Sequence, residues 1–254
     1  MDTLWYGLED KVAVVTGGSR GIGLEIAREL LRQKARVAIC GRKQDSLDSA
    51  GHELAGGDNL MTMAAHIARE EDVDHLFTAV MERWGTVDVL INNVGMNVMT
   101  PAIADMDYPL WQKIMDTNLN GTFLTSRRAA KIMREQAKGK IVSVSSIAGR
   151  KASPAMGIYG IAKAGIEMLT RVLSAELAPH NIQVNAVAPC MVRTEFSKPF
   201  WSNKDLYDMI TKTIPLGRIA EPIDVVHPVL FLSSDAANFI TGQTILVDGG
   251  ATAI

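Results

Sequence analysis

Two cysteines, Cys40 and Cys190, are all that 254 residues contain. Two thiols cannot build the crosslinked framework of a small secreted scaffold, so a reducing compartment is expected. An excess of one charge is missing as well: 26 Lys and Arg stand against 28 Asp and Glu, for a net charge of −2 and a pI near 6.2. Such a balance gives no electrostatic footprint for nucleic acid or for an anionic membrane surface. No run reaches the eighteen or so apolar residues that a membrane helix requires. The segment MDTLWYGLEDK carries acids where a secretory signal would carry bases. The five histidines, His52, His66, His75, His180 and His227, lack metal-ligand spacing with cysteine or with one another, so no metal is expected. These absences point to a soluble, cytoplasmic protein without nucleic-acid or membrane partners. What is present is enough for a large core: 47% hydrophobic and 21% charged residues exclude disorder as the dominant state.

From Lys11 to Thr16 the run KVAVVT is short, apolar and β-branched; GGSRGIG follows, and IAREL then spaces its apolar residues as a helix does. Strand, glycine turn and helix are expected in that order. The same grammar recurs in ARVAIC (35–40) before a polar helix over 44–54, and in NLMTMAAHI (59–67) before a helix over about 72–84. VDVLIN (87–92) is a further strand. A long helix over about 108–137, the strand KIVSVSS (140–146) and a helix from about Pro154 to Leu177 come next. IQVNAVA (182–188) and TILV (244–247) complete seven strands, with a long irregular segment and a helix starting near Glu221-Pro222 between them. The strand runs are apolar throughout instead of alternating, as in strands covered on both faces. An α/β doubly wound fold is predicted, with a mostly parallel seven-stranded sheet flanked by helices. No linker or longer repeat interrupts 1–254, which reads as a single domain. Residues 190–220 set Phe196, Phe200, Trp201 and Tyr207 among polar neighbours after a strand end, which suits a lid over the substrate.

In Thr16-Gly17-Gly18-Ser19-Arg20-Gly21-Ile22-Gly23 the glycines fall between strand and helix. There they permit a tight turn and let backbone N–H groups and the helix amino end approach a pyrophosphate, so a dinucleotide is the expected cofactor. The spacing G-x-x-x-G-x-G is one residue wider in its first half than the GxGxxG fingerprint. An acid at the end of the second strand would accept hydrogen bonds from an adenosine ribose and repel a 2′-phosphate. Here that strand ends in Cys40-Gly41-Arg42-Lys43. Arg42 and Arg20 could make forked, charge-assisted contacts to a 2′-phosphate, so NADP(H) is preferred, with NAD(H) the alternative. The plain structural alternative is that both arginines are solvated surface residues.

Tyr159 and Lys163 stand four positions apart, which places both on one face of a helix. A fixed cation favours phenolate and pulls the tyrosine pKa down from near 10. YxxxK alone is common, but here it is the fifth of six motifs in order: TGGSRGIG (16–23), NNVG (92–95), Asn118, VSS (144–146), YGIAK (159–163) and PCMVRT (189–194). With these the chain resembles the short-chain dehydrogenase/reductase family over nearly its whole length, in the manner of its carbonyl-reductase and 3-oxoacyl-reductase branches. The resemblance implies a Rossmann-type fold and hydride exchange between a nicotinamide cofactor and a ketone or secondary alcohol. It implies Tyr159 as general acid and base, Lys163 as the group that holds the nicotinamide ribose and lowers the tyrosine pKa, and Asn118 as an anchor for a water in a proton relay. Neighbouring strand residues point to opposite faces, so one of Ser145 and Ser146 meets the substrate oxygen. Ser146 is chosen: it precedes Tyr159 by 13 residues and is followed by Gly149 three positions on, as in the family; Ser145 is the fallback.

The resemblance also assigns cofactor contacts. Gly17, Ser19, Arg20, Gly21, Ile22 and Gly23 would hold the phosphates, Asn93 and Gly95 the adenine ribose, and Thr194 the nicotinamide carboxamide or phosphate, with Pro189 and Val192 among the contacts. His66-Ile67 occupies the place where the family commonly has Asp and an aliphatic residue beside adenine. Cys190 replaces a usual glycine and is read as a space-filler over a redox or nucleophilic group, since no sequence neighbour activates a thiolate. The substrate pocket is expected around Met96, Asn97, Ala148 to Pro154, Met156 and the 191–207 loop, whose Met, Phe and Trp suit an apolar or ring-bearing ketone or alcohol. The helices over 108–137 and 154–178 are apolar around much of their circumference, and the resemblance implies that such helices pair across two-fold axes, so a homotetramer is expected. Two rivals are a non-catalytic nucleotide-sensing module, which predicts loss of Ser146, Tyr159 or Lys163, and an isomerase or dehydratase that retains its cofactor.

Overall fold

Each apolar run identified above becomes a strand whose residues alternate between two buried sides. The computed structural model describes residues 5–96, 99–152 and 155–253. Its strands are β1 (Val12–Thr16), β2 (Arg36–Gly41), β3 (Leu60–Ala64), β4 (Val89–Asn92), β5 (Gly139–Val144), β6 (Ile182–Pro189) and β7 (Thr244–Val247). They form one sheet in the order β3-β2-β1-β4-β5-β6-β7, every neighbouring pair parallel. Val12, Val14, Ala38 and Leu90 face one core, and Ala13, Val15, Val37 and Ile91 face the other. Helices α1 (Gly21–Arg32), α2 (Gln44–Leu54) and α9 (Pro222–Ser233) cover the second core, while α3 (Glu70–Trp84) and α5 (Gly121–Gln136) cover the first. α4 (Tyr108–Met115), α6 (Gly157–Leu177), α7 (Lys198–Trp201) and α8 (Lys204–Thr211) complete the set of α-helices among the described residues.

Chain direction across the sheet reverses between β1 and β4, which run side by side although two strands separate them in sequence. A crevice opens beyond the carboxyl ends of strands at such a switch point. That places the glycine turn after β1 and the Asn93–Gly95 segment after β4 on opposite lips of one cleft.

Several boundaries differ from the expectations. The single helix over 108–137 is instead α4 and α5 joined by a widened π turn over Asp116–Asn120, so Asn118 sits at a break in helical geometry. Periodicity cannot show one extra residue in a turn. β5 stops at Val144, so Ser145, whose N–H still donates to Val187 O at 2.7 Å, and Ser146 lie past the strand end, and β3 ends at Ala64, which places His66 and Ile67 in a loop. α6 begins at Gly157, while Pro154 lies outside the described residues. The segment over 190–220 is not wholly irregular, because α7 and α8 lie within it.

Candidate active site

Residues following β1, β2, β3, β4, β5 and β6 line one cleft of about 780 Å³. At its floor the glycine turn is shaped by backbone demands. Gly17 and Gly21 adopt φ of +66° and +58°, a region that L side chains disfavour. A Cβ on Gly23 would lie 2.4 Å from both Gly17 O and Asn93 Nδ2, so α1 can approach β1 this closely only without a side chain there. Asn93 Nδ2 donates to Thr16 O at 3.1 Å and to Gly17 O at 3.2 Å, tying the end of β4 to the turn. Arg20, at the N-cap of α1, makes no side-chain capping bond, so the first-turn N–H groups and the positive end of the helix dipole face the cleft uncapped.

Gly17, Ser19, Arg20, Gly21, Ile22, Arg42, His66, Ile67, Asn93, Gly95, Pro189, Val192 and Thr194 all line the cleft, as the sequence placed them. Gly23 does not; its part is the close packing just described. Arg20 and Arg42 are exposed, and among the described residues neither forms an ion pair. Thr194 crosses from the far side: a Cβ on Gly21 would stand 3.5 Å from its Cγ2. His66 Nδ1 accepts the Ala68 N–H at 3.3 Å, so the neutral ring carries its proton on Nε2. The uncapped helix end, the side-chain-free turn and the two unpaired guanidinium groups together fit a phosphate-bearing dinucleotide.

Ser146, Tyr159 and Lys163 converge at the other end. Ser146 leaves β5 extended and its Oγ accepts the Ala148 N–H at 3.2 Å, capping a single turn over Ile147–Gly149. That turn rests directly on α6: a Cβ on Gly149 would stand 2.9 Å from Ala164 N, and one on Gly160 would stand 2.6 Å from Ala148 O. Two glycines thus let the serine loop dock on the tyrosine helix, so that Ser146 and Tyr159 line the same end of the cleft. Lys163, 2% exposed, donates from Nζ to Val144 O at 2.7 Å and lies 5.5 Å from the Tyr159 ring centroid. Ser145 is committed elsewhere, its Oγ donating to Lys163 O at 3.2 Å and Glu167 Oε1 at 3.3 Å.

Two features correct the expected electrostatics. Burial pushes the Tyr159 phenol up to about 12, with the Ser146 hydrogen bond pulling the other way, while burial pushes Lys163 down to about 8. Tyr159 keeps part of its surface on the cleft, yet desolvation outweighs any pull from the neighbouring cation. Asn118 does not line the cleft: fully buried, its Oδ1 accepts Met96 N–H at 3.1 Å, and its Nδ2 donates to Met96 O at 3.0 Å and Ile114 O at 2.8 Å. Both amide protons and one of the two lone pairs of Oδ1 are thereby used. Cys190 lines the cleft as a thiol, since burial and the nearby Asp248 carboxylate both push its pKa up.

Of the expected substrate lining, Met96, Ala148, Met156, Met191 and Phe196 are in place, and Asn97 and Pro154 lie outside the described residues. Trp201 and Tyr207 do not line it: the Arg193 guanidinium lies 5.1 Å and 5.7 Å from their ring centroids, and Trp201 Nε1 donates to Thr194 O at 3.0 Å. Sequence reasoning missed Ile210, Thr213, Ile214 and Ala251. Ile210 lies on α8 and Ile214 just past its end, so no helical spacing in the sequence marked them as a pair.

A nucleotide crevice at the switch point of a parallel sheet, with a serine, a tyrosine and a lysine converging at one end, defines a dinucleotide-binding oxidoreductase fold, and the comparisons make this specific. The family model described as enoyl-(acyl carrier protein) reductase matches residues 17–252. The human protein named dehydrogenase/reductase SDR family member 4 is 35% identical over 244 residues, 96% of this chain and 88% of its own. L-rhamnose 1-dehydrogenase (NAD(P)(+)) of Azotobacter vinelandii is 38% identical over 249 residues, 96% of this chain and 97% of its own. The structure of a short-chain type dehydrogenase/reductase from Mycobacterium ulcerans superposes with a TM-score of 0.94 at 31% identity, covering 98% of this chain and 92% of that one. The chain belongs to the short-chain dehydrogenase/reductase family, whose members are oxidoreductases that use NAD(P) cofactors and act on small molecules. Among the described residues no helix is long and apolar enough to cross a membrane.

Proposed function

We propose that this chain is an NADP(H)-dependent oxidoreductase that interconverts a ketone and a secondary alcohol. The observation that carries the reading is that Ser146, Tyr159 and Lys163 line one end of the same cleft, with Lys163 one turn of α6 from Tyr159 and its Nζ 5.5 Å from the tyrosine ring centroid. Bound nicotinamide supplies or accepts the hydride. In reduction Tyr159 gives its phenolic proton to the developing alkoxide, and Ser146 donates a hydrogen bond to the same oxygen. In oxidation Tyr159 takes the hydroxyl proton. Lys163, held by Val144 O, keeps a positive charge beside the phenol and is positioned to reach a nicotinamide ribose. Asn118 fixes Met96 and the cleft wall through its amide, and a relay water would be held by the acceptor capacity left on its Oδ1 or on its main-chain carbonyl, which accepts Thr122 Oγ1 at 2.7 Å.

Arg20 and Arg42 are assigned to the 2′-phosphate, supported by their exposure, their lack of ion pairs among the described residues and the absence of an acid after β2. His66 and Ile67 are assigned to the adenine end, Asn93 and Gly95 to the adenine ribose, and Pro189, Val192 and Thr194 to the nicotinamide end. NAD(H) dependence is the alternative. A homotetramer in the cytoplasm is part of the proposal: Phe123 on α5 and Ile161, Met168 and Val172 on α6 are exposed apolar groups of the kind that pair across a two-fold axis. Light scattering that returned a 27.5 kDa monomer at micromolar concentration would remove that part.

The test is a scan of ketones and alcohols with NADPH, NADP, NADH and NAD, read by reduced-nicotinamide absorbance. Turnover of a ketone with NADPH is expected. Tight cofactor binding with no turnover of any carbonyl or alcohol would leave only a nucleotide-sensing module.

A further inference from the structure

The polar atoms at the substrate end of the cleft are nearly all used up. Among the described residues five hydroxyls line the cleft besides Ser146, Tyr159 and, at the glycine turn, Ser19, and each is hydrogen-bonded within the protein: Thr117 Oγ1 to Lys113 O at 2.9 Å, Thr213 Oγ1 to Ile210 O at 2.8 Å, Ser145 Oγ to Lys163 O at 3.2 Å, Ser197 Oγ to Val192 O, and Thr194 Oγ1 with Ser197 Oγ at 3.3 Å. Cys190 Sγ lies 3.7 Å from Met191 O and keeps its proton. Glu195 is exposed and ion-paired with Lys198 at 3.1 Å. The nearby cations are committed too. Arg150 Nε donates to Glu167 Oε2 at 2.9 Å, and Arg193 Nε donates to Glu221 Oε1 at 2.8 Å while its guanidinium sits against Trp201 and Tyr207. Neither arginine lines the cleft.

What remains is carbon and sulfur. Met96, Ile147, Met191, Phe196, Ile210 and Ile214 form the wall, contributed by four separate stretches of chain. α8 turns Ile210 toward the cleft while Lys204, Asp205 and Met209 stay exposed.

We propose that this end of the site takes an uncharged ketone with an apolar body, one oxygen being its single hydrogen-bonding point, and that it rejects polyhydroxylated and carboxylated substrates. The proposal rests on the oxidoreductase reading above and narrows it. A hydroxyl carried into this wall leaves water and finds no free donor among the described residues, and a carboxylate finds no free cation. Only the oxygen at Ser146 and Tyr159 is provided for.

The experiment compares kcat/KM with NADPH for acetophenone, 4-methylcyclohexanone and 2-octanone against 5-keto-D-gluconate, and with NADP for the matching alcohols against L-rhamnose and D-gluconate. Apolar probes are expected to lead by about 100-fold or more, the scale on which an apolar pocket discriminates against an added hydroxyl. In parallel, Ile210→Asn is expected to lower kcat/KM for 2-octanone about tenfold, with the NADPH dissociation constant, read by fluorescence titration, within about twofold of wild type. Sugars or sugar acids turned over as well as the apolar ketones would overturn the proposal and leave the oxidoreductase reading standing. No turnover of any probe with any of the four cofactors, with NADPH still bound, would overturn that reading and this one with it.

Discussion

The two ends of the cleft are built from different materials. The cofactor end is made of main chain: a turn whose glycines adopt φ of +66° and +58°, an uncapped helix start, and two exposed arginines. The substrate end is made of side chains drawn from segments between Met96 and Ile214, with their polar atoms turned back on the protein. One end is a binding geometry that local sequence dictates; the other is a surface that exists only after distant elements meet. The catalytic groups stand between them. Substitutions at the two ends should therefore separate cofactor affinity from carbonyl selectivity, and a residue at the junction should affect the chemistry alone.

The largest effect is expected at that junction. Tyr159→Phe removes the phenolic proton from the site while keeping the ring, and should lower kcat by about 10²- to 10⁴-fold, the usual range for one general acid. The NADPH dissociation constant should hardly move. A comparable loss of cofactor affinity, measured by titration, would make Tyr159 a structural group and break the division between the two ends.

Arg42→Ala tests the cofactor end alone. A charge-assisted contact is worth about 1.5–3 kcal/mol, so NADPH should bind about 10- to 150-fold more weakly, with NADH affinity and ketone selectivity unchanged. Equal loss for NADH would show that Arg42 does not read the 2′-phosphate.

Gly23→Ala probes the same end through packing. The new Cβ would meet Gly17 O and Asn93 Nδ2 at 2.4 Å, and a strained insertion of this kind costs about 1–3 kcal/mol. A lower melting temperature together with weaker NADPH binding is expected from thermal denaturation and titration. Full stability with intact binding would mean that the turn is softer than its geometry implies.

This contrast also explains what could be read from the chain beforehand. The seven strands and the glycine turn were legible because each rests on a local pattern: an uninterrupted apolar run, or glycines at one strand-to-helix junction. Ser146, Tyr159 and Lys163 were legible through motif order, but the docking that brings them together was not. Gly149 and Gly160 are ordinary letters in sequence, and their role appears only when Ala148 and Ala164 lie against them. Asn118 was legible through motif order, but the π turn that holds it was not, because one extra residue in a turn leaves no mark on periodicity. Trp201 and Tyr207 were read as pocket lining from composition, whereas both rings pack against a single guanidinium, that of Arg193, away from the cleft lining.

The smallest effect concerns proton inventory, and it divides the two reaction directions. Burial pushes Tyr159 up to about 12 and Lys163 down to about 8. Because kcat/KM reports the free enzyme, reduction, which needs the protonated phenol, should be flat from pH 6 to about 8 and decline above that as Lys163 loses its charge. Oxidation needs the phenolate, whose fraction below about pH 12 grows tenfold per unit, so its kcat/KM should climb about tenfold from pH 6.5 to 7.5. The sign follows from the direction of each shift: a raised phenol pKa keeps the acid form and handicaps the base form. An oxidation profile already level at pH 7 would show that the cation beside the phenol overcomes its burial once the site is in use, and that the reading from YGIAK alone was the better guide to the chemistry.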